Sequence, residues 1–351
     1  MLFLIANWIV FFMIFGITGS IILNFIKNNE AILDNGLNLV IIQIIGILTL
    51  STILLSISIF IPINNSIIYI ILLVNIYLYK KNQFIRLYLR NAISTLFSLG
   101  KTNLIIIILI IGLYESQIVF WGDSAIYHIN AIKWLNNYGM VPGTANLIMQ
   151  LGFTSSWFAI NSVIQLDGAY SGISYTALCG YVLLLMIIHL SYCVKMISVD
   201  ENQSEVNYFY SLAYPIVICL ILRWGIALSP SPDLITYYLG LIVAGITISN
   251  IKEEDKITTL FLLGILFISV KLSAASIIIY SIFLMLKNYR IIKFKKIILI
   301  STAIFPVLIT NIIASGYPLF PSDLLGVSVE WKVPYSELVQ VRNSIFNHAF
   351  Y

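Results

Sequence analysis

The segment Trp121-Gly-Asp-Ser-Ala-Ile-Tyr-His-Ile-Asn-Ala-Ile-Lys-Trp134 gathers more chemically able side chains than any other stretch of a chain in which 10% of residues are charged. On an α-helix, 100° per residue puts Tyr127, Asn130 and Trp134 within about 40° of Asp123. One carboxylate, one phenol, one amide and one indole then share a stripe, flanked by Lys133, while His128 points away. An acid beside aromatic rings suits a sugar: the rings stack on C–H faces and the carboxylate accepts hydroxyl protons. The same residues also fit a plainer reading, with Asp123 an N-cap after Gly122 and the rings an interfacial belt.

Further along, Ser229-Pro-Ser-Pro-Asp233 reads as a helix start, with Ser231 capping, Pro232 at the first helical position and Asp233 in the first turn. Arg223 lies close enough to form an Asp/Arg pair with it. Lys271 stands alone between two apolar runs. It suits a point charge for a phosphate, or a lysine snorkelling from a helix end. Glu115, Asp167 and the later acids Asp323, Glu330 and Glu337 fall near the same predicted side. His189 and His348 show no neighbours that suggest a metal or a proton relay, and Cys179, Cys193 and Cys219 have no ligand spacing.

The elements that must position these residues follow from composition. The 351 residues are 60% hydrophobic with a mean hydropathy of +0.98, against about 45–50% apolar and about 25% charged for a soluble domain. Lipid is therefore the solvent for most of the chain, and helices are the elements that satisfy a backbone within it. Apolar runs predict an all-α polytopic bundle of about nine or ten spans, near 2–26, 38–63, 66–82, 103–121, 173–196, 207–224, 234–250, 257–270, 272–286 and 297–315. Residues 257–286 form either a tight hairpin or one broken element. The first 26 residues carry no basic region or cleavage site and read as a retained span.

Alternating sides along these spans puts 14 of the 19 Lys and Arg residues on one face, including Lys80, Lys81, Arg86, Arg90, Lys101 and the cluster Lys287–Lys296. Basic loops stay cytoplasmic, so both termini and the loop 122–172 are expected outside. The stretch 146–166, rich in Ser, Thr, Asn and Gln, is predicted to lie in the interface or dip into the membrane rather than cross it. A net charge of +4 placed this way gives no indication of nucleic-acid binding.

Several separated motifs carry a resemblance. Asp123-x-x-x-Tyr127-His128 with Lys133-Trp134 and Pro142-Gly143, Gly152-Phe153-x-Ser155-Ser156-Trp157-Phe158, Ser-Pro-Ser-Pro-Asp233, Lys271-Leu-Ser and Ser315-Gly-Tyr-Pro-Leu-Phe-Pro321 resemble an uncharacterised family of bacterial multi-pass membrane proteins. That family is similar to the GT-C glycosyltransferases, which take sugars from polyprenyl-phosphate carriers and keep an essential acid in the first large external loop. The resemblance spans roughly 100–335 and implies N-terminal helices over 1–101, a GT-C-like core over 102–315 and an external C-terminal tail over 316–351.

It also implies a bacterial inner-membrane enzyme that transfers a sugar to a cell-envelope glycan, lipid or protein. Asp123 would be the catalytic base, Tyr127, Asn130, Lys133 and Trp134 would bind substrate, Asp233 would be a second acid at the rim, and Lys271 with Arg223 would hold the lipid phosphate. No cofactor is implied beyond a possible divalent metal, and the eight-residue spacing of Glu115 and Asp123 departs from the close acidic pair common in GT-C loops. A transporter or flippase and a polysaccharide polymerase are the competing expectations.

Overall fold

The computed structural model describes residues 1–26, 35–119, 121–164, 175–199, 205–291 and 293–350. Asp167 and the side chain of His348, named above, lie outside the described residues. All regular structure described is helical: α1 (Leu2–Ile26), α2 (Asn35–Ser58), α3 (Ser66–Lys81), α4 (Gln83–Ser98), α5 (Lys101–Glu115), α6 (Ile129–Tyr138), α7 (Ser156–Ser162) and α8 (Ala177–Val199). Then follow α9 (Glu205–Trp224), α10 (Asp233–Ile248), α11 (Glu253–Ile268), α12 (Ala275–Lys287), α13 (Phe294–Ser301), α14 (Phe305–Ser315) and α15 (Tyr335–Phe350).

Five helical stretches among the described residues are long and apolar enough to cross a membrane: α1, α2, α8, α9 and the run Phe294–Ser315 that joins α13 to α14. A sixth arises if α4 and α5, bent by 91° at Leu99–Gly100, count as one. The nine or ten spans expected from hydropathy are thus corrected. α3, α10 and α11 have 16 residues each and α12 has 13. At about 1.5 Å per residue these reach roughly 20–24 Å, short of a hydrocarbon core of about 30 Å. α4 was not anticipated at all: its sequence alternates Arg86 and Arg90 with Ile85, Tyr88, Leu89 and Ala92, and only the latter face is buried.

The core is seeded by α1 and α2. A Cβ on Gly19 would sit 1.8 Å from the Ile42 carbonyl oxygen, and one on Gly46 would sit 2.0 Å from that of Phe15. The two backbones therefore touch, as helices do in lipid where small residues permit close approach. Residues 257–286, left open between two geometries, form a hairpin: α11 packs along α12, with Gly264 against Ile278.

Contacts between connections fall at two ends. At one, Ile63 N–H donates to Leu135 O, Met140 N–H to Ser58 O, Gly143 N–H to Ile313 O and Ser156 N–H to Ser269 O, at 2.7–2.9 Å. At the other, Lys293 pairs with Glu254 at 3.0 Å and Lys195 bonds the Ser98 carbonyl. Each pairing joins connections that the Lys/Arg bias assigns to one side. The segment 316–334 closes the first end, with Tyr317, Phe320, Val333 and Leu338 forming a small core with Ala145.

Gly46→Leu is expected to separate α1 from α2 and lower the thermal midpoint of the detergent-purified chain, at the scale of about 1–3 kcal/mol or more set by overpacking. Gly240→Ala, where a Cβ meets nothing within 4 Å, is expected to leave the midpoint unchanged or raise it, since Ala favours a helix by up to about 1 kcal/mol. An unchanged Gly46→Leu midpoint would show that the contact does not hold the fold.

Candidate functional site

Chemistry-bearing residues meet at the closed end. The connection from α9 to α10 folds on its own hydroxyls: Ser229 Oγ accepts from Ser231 N–H at 3.1 Å, and Ser231 Oγ accepts from Asp233 N–H at 3.2 Å. The helix start read from Ser-Pro-Ser-Pro-Asp is therefore formed, and Ser231 also donates to the Asp233 carboxylate at 2.8 Å. Lys271, in the turn between α11 and α12, reaches across to the same carboxylate as an ion pair.

The neighbouring wall is the segment after α5. Its first turn, Ser124–His128, is a π-helix in which Ile129 N–H bonds the Ser124 carbonyl, five residues back. Ser124 Oγ meets Ser229 Oγ at 2.7 Å, fastening this turn to the α10 start. A π turn is wider by one residue, so the position five after Asp123 returns to its side instead of the position four after. His128, expected to point away, is instead buried, with its ring 4.2 Å from Tyr127 and 5.4 Å from Phe158. Among the described residues its Nδ1 has no hydrogen-bond partner.

The electrostatics tie these groups together. Burial lowers the His128 pKa to about 4, against the opposing pull of Asp123 and Asp233 and with a smaller push from Lys271. The ring is neutral at physiological pH. Burial, then the charges of Asp123 and Asp233, raise the Tyr127 phenol above its ordinary value. Burial would raise Asp233, but the Lys271 charge and the bonds from Lys271 and Ser231 outweigh it, and the carboxylate stays below its usual range.

Asp123, Tyr127, Asp233 and Lys271 are thus brought into one neighbourhood, and four expectations change. Asp123 makes no capping bond, so the N-cap reading is withdrawn; it is exposed. The Asn130 amide donates to Ile126 O at 2.8 Å within its own helix. Arg223 is exposed at the end of α9, and Asp233 pairs with Lys271 rather than with it. Lys271 is consequently a neutralised cation, not a free point charge. Lys133 is exposed on α6, and Trp134 lines an apolar cavity of about 40 Å³ with Met140, Phe153, Thr154, Ser155 and Phe158.

His189 also departs from its reading as a merely packed ring: its Nδ1 lies 2.7 Å from Tyr214 Oη, inside the apolar helices α8 and α9. Among the described residues no three His, Cys, Asp or Glu side chains are placed to hold a metal ion. Among those residues the donor set offers no ready-made site for the divalent metal that the sequence left open.

The unfolded histidine takes up its proton near 6.5 and the folded one near 4. Between these values the unfolded chain binds more protons, so stability falls as pH drops through that window. His128→Gln is expected to flatten this limb, by up to about 1.4 kcal/mol per pH unit. Unfolding midpoints across the window check it; an unaltered slope would mean His128 titrates normally.

No curated protein and no solved structure matches the chain. A family described as "Domain of unknown function (DUF8201)" matches residues 1–351, and the chain belongs to that family.

Proposed function

We propose that this chain is a GT-C-like membrane glycosyltransferase, moving a sugar from a polyprenyl-phosphate donor to a cell-envelope glycan, lipid or protein acceptor on the outer face of a bacterial inner membrane. The observation that carries the reading is the convergence of exposed Asp123, Tyr127, neutral His128 and the Asp233–Lys271 pair at the end of the bundle that bears few basic residues. A lipid tail can remain among the apolar helices while its head group reaches that end.

Asp123 is the acceptor's base in this reading. It is the one carboxylate of the group with neither a cation nor a serine bound to it among the described residues, so its lone pairs are open to a hydroxyl proton. Positioned base catalysis of this kind contributes about 10²–10⁴-fold. The phosphate leaving group develops negative charge that preorganised cations must meet. Lys271 supplies one by exchanging its hold on Asp233 for the phosphate, and exposed Lys133 and Arg223 stand nearer water. The cavity under Trp134 admits a few water-sized groups rather than a sugar ring. In this reading the sugar packs outside it, against Trp134 and Tyr127.

The competing transporter reading draws on the buried His189–Tyr214 contact, since ionisable groups within a membrane often line a translocation path. Asp123→Asn separates the two. With membrane insertion unchanged, glycan transfer is expected to fall by about 10²-fold or more, read by mass spectrometry of surface glycans and lipid-linked sugars from cells with and without the protein. Full transfer in that variant removes Asp123 from the chemistry.

A further inference from the structure

Glu115 closes α5 and is completely buried. Among the described residues neither carboxylate oxygen has a hydrogen-bond partner. Two donors beside it are committed elsewhere. The Trp8 indole N–H bonds the Ala177 carbonyl at 2.8 Å, and the Thr176 hydroxyl bonds the backbone carbonyl of Glu115, at 3.3 Å, rather than its side chain. Packing leaves no room for water on the α8 side: a Cβ on Gly180 would sit 2.7 Å from Glu115 Cγ and 2.7 Å from Trp8 Cζ2.

Among the described residues no cation pairs with this carboxyl. Residues 165–174, outside the described set, contain neither Lys nor Arg. From α1 the facing groups are Trp8, which does not titrate, and Met1, whose side chain nears Gly112 but whose amino group forms no ion pair with Glu115. From α8 it is Cys179, and from α5 itself Tyr114, whose hydroxyl is likewise unpartnered. An ionised carboxylate so enclosed would cost several kcal/mol or more without a partner. A metal ion would find one side chain where it needs several oxygen ligands.

We propose that Glu115 is a proton-binding site, occupied in the closed structure, and that the bound proton holds the joint of α1, α5 and α8 shut. The inference goes beyond glycosyl transfer and stands whether or not a sugar is moved. Release breaks the carboxyl O–H bond and passes the proton to water admitted at the loop end. The carboxylate left behind must then find solvent, which displaces α5 from Trp8 and Gly180. Asp123 lies eight residues on, and Cys179 Sγ contacts Ser231 O at 3.8 Å beneath Asp233, so the movement reaches the site.

Two measurements on the full chain in detergent test it. Infrared spectra at neutral pH are expected to show a protonated-carboxyl carbonyl band that Glu115→Gln removes; an ionised-carboxylate signal at that position instead overturns the proposal. On a Cys193→Ser, Cys219→Ser background, labelling of Cys179 by a membrane-permeant maleimide is expected to rise on going from neutral to alkaline pH about tenfold more with Glu115 than with Gln. Equal pH dependence in the two overturns it. Misfolding of Glu115→Gln overturns it as well, because glutamine is the neutral isostere of the protonated acid. Loss of Asp123-dependent transfer would leave all these outcomes untouched.

Discussion

The loop end depends on a hydroxyl junction centred on Ser269. Its Oγ lies 3.0 Å from Thr52 Oγ1 on α2 and 2.8 Å from Ser156 Oγ on α7, while its carbonyl accepts from Ser156 N–H at 2.7 Å. Ser155 adds a bond to the Val270 carbonyl at 2.7 Å. All four side chains are buried. Loss of one partner there strands another polar group, at about 1–3 kcal/mol each. Because the junction fixes the chain at 269–270, it also fixes the origin of Lys271, and because it fixes 155–156, it sets Phe158 against the rings of Tyr127 and His128. Both walls of the site hang from one set of hydrogen bonds.

The same junction explains why α7 can be buried without crossing. Ser156–Ser162 is a helix of seven residues, every one buried. Its ends would expose unsatisfied backbone groups in lipid. Ser269 takes the Ser156 N–H, Ser155 Oγ takes that of Trp157, and the Ser162 carbonyl accepts from Asn136. Polar residues of the kind that made 146–166 a poor span in sequence thus satisfy the ends of this short helix where it is buried in the bundle.

What the sequence made legible follows from which forces act locally. Hydropathy placed the long helices within a few residues because lipid acts on each segment separately. The Lys/Arg bias grouped the connections that the structure brings together, Lys195 with Ser98 and Lys293 with Glu254. The Ser-Pro-Ser-Pro-Asp helix start was readable because its capping bonds span two residues. The Asp233–Lys271 pair joins positions 38 apart, and no pattern near Asp233 favours Lys271 over the closer Arg223. Short helices were overcounted because apolar composition reports burial in protein as readily as in lipid. Ile257–Ile268 is wholly buried among its neighbours.

His128 shows where periodicity itself misleads. An α-helical wheel carries Asp123 onto Tyr127 and turns His128 outward, but the π turn adds a residue to the first turn and rotates everything before it relative to α6. The signal for such a turn is weak in sequence, since Ser-Ala-Ile-Tyr-His has no helix breaker. What selects it is tertiary: Ser124 is held by Ser229, while Ile132 and Leu135 of α6 are buried in the core. Two fixed ends with one residue too many between them resolve the mismatch as a bulge. π turns concentrate at functional positions because a wider turn costs stability that only a placed side chain offsets. In this chain the side chain so placed is an imidazole kept neutral by burial, between an exposed acid and an acid already paired.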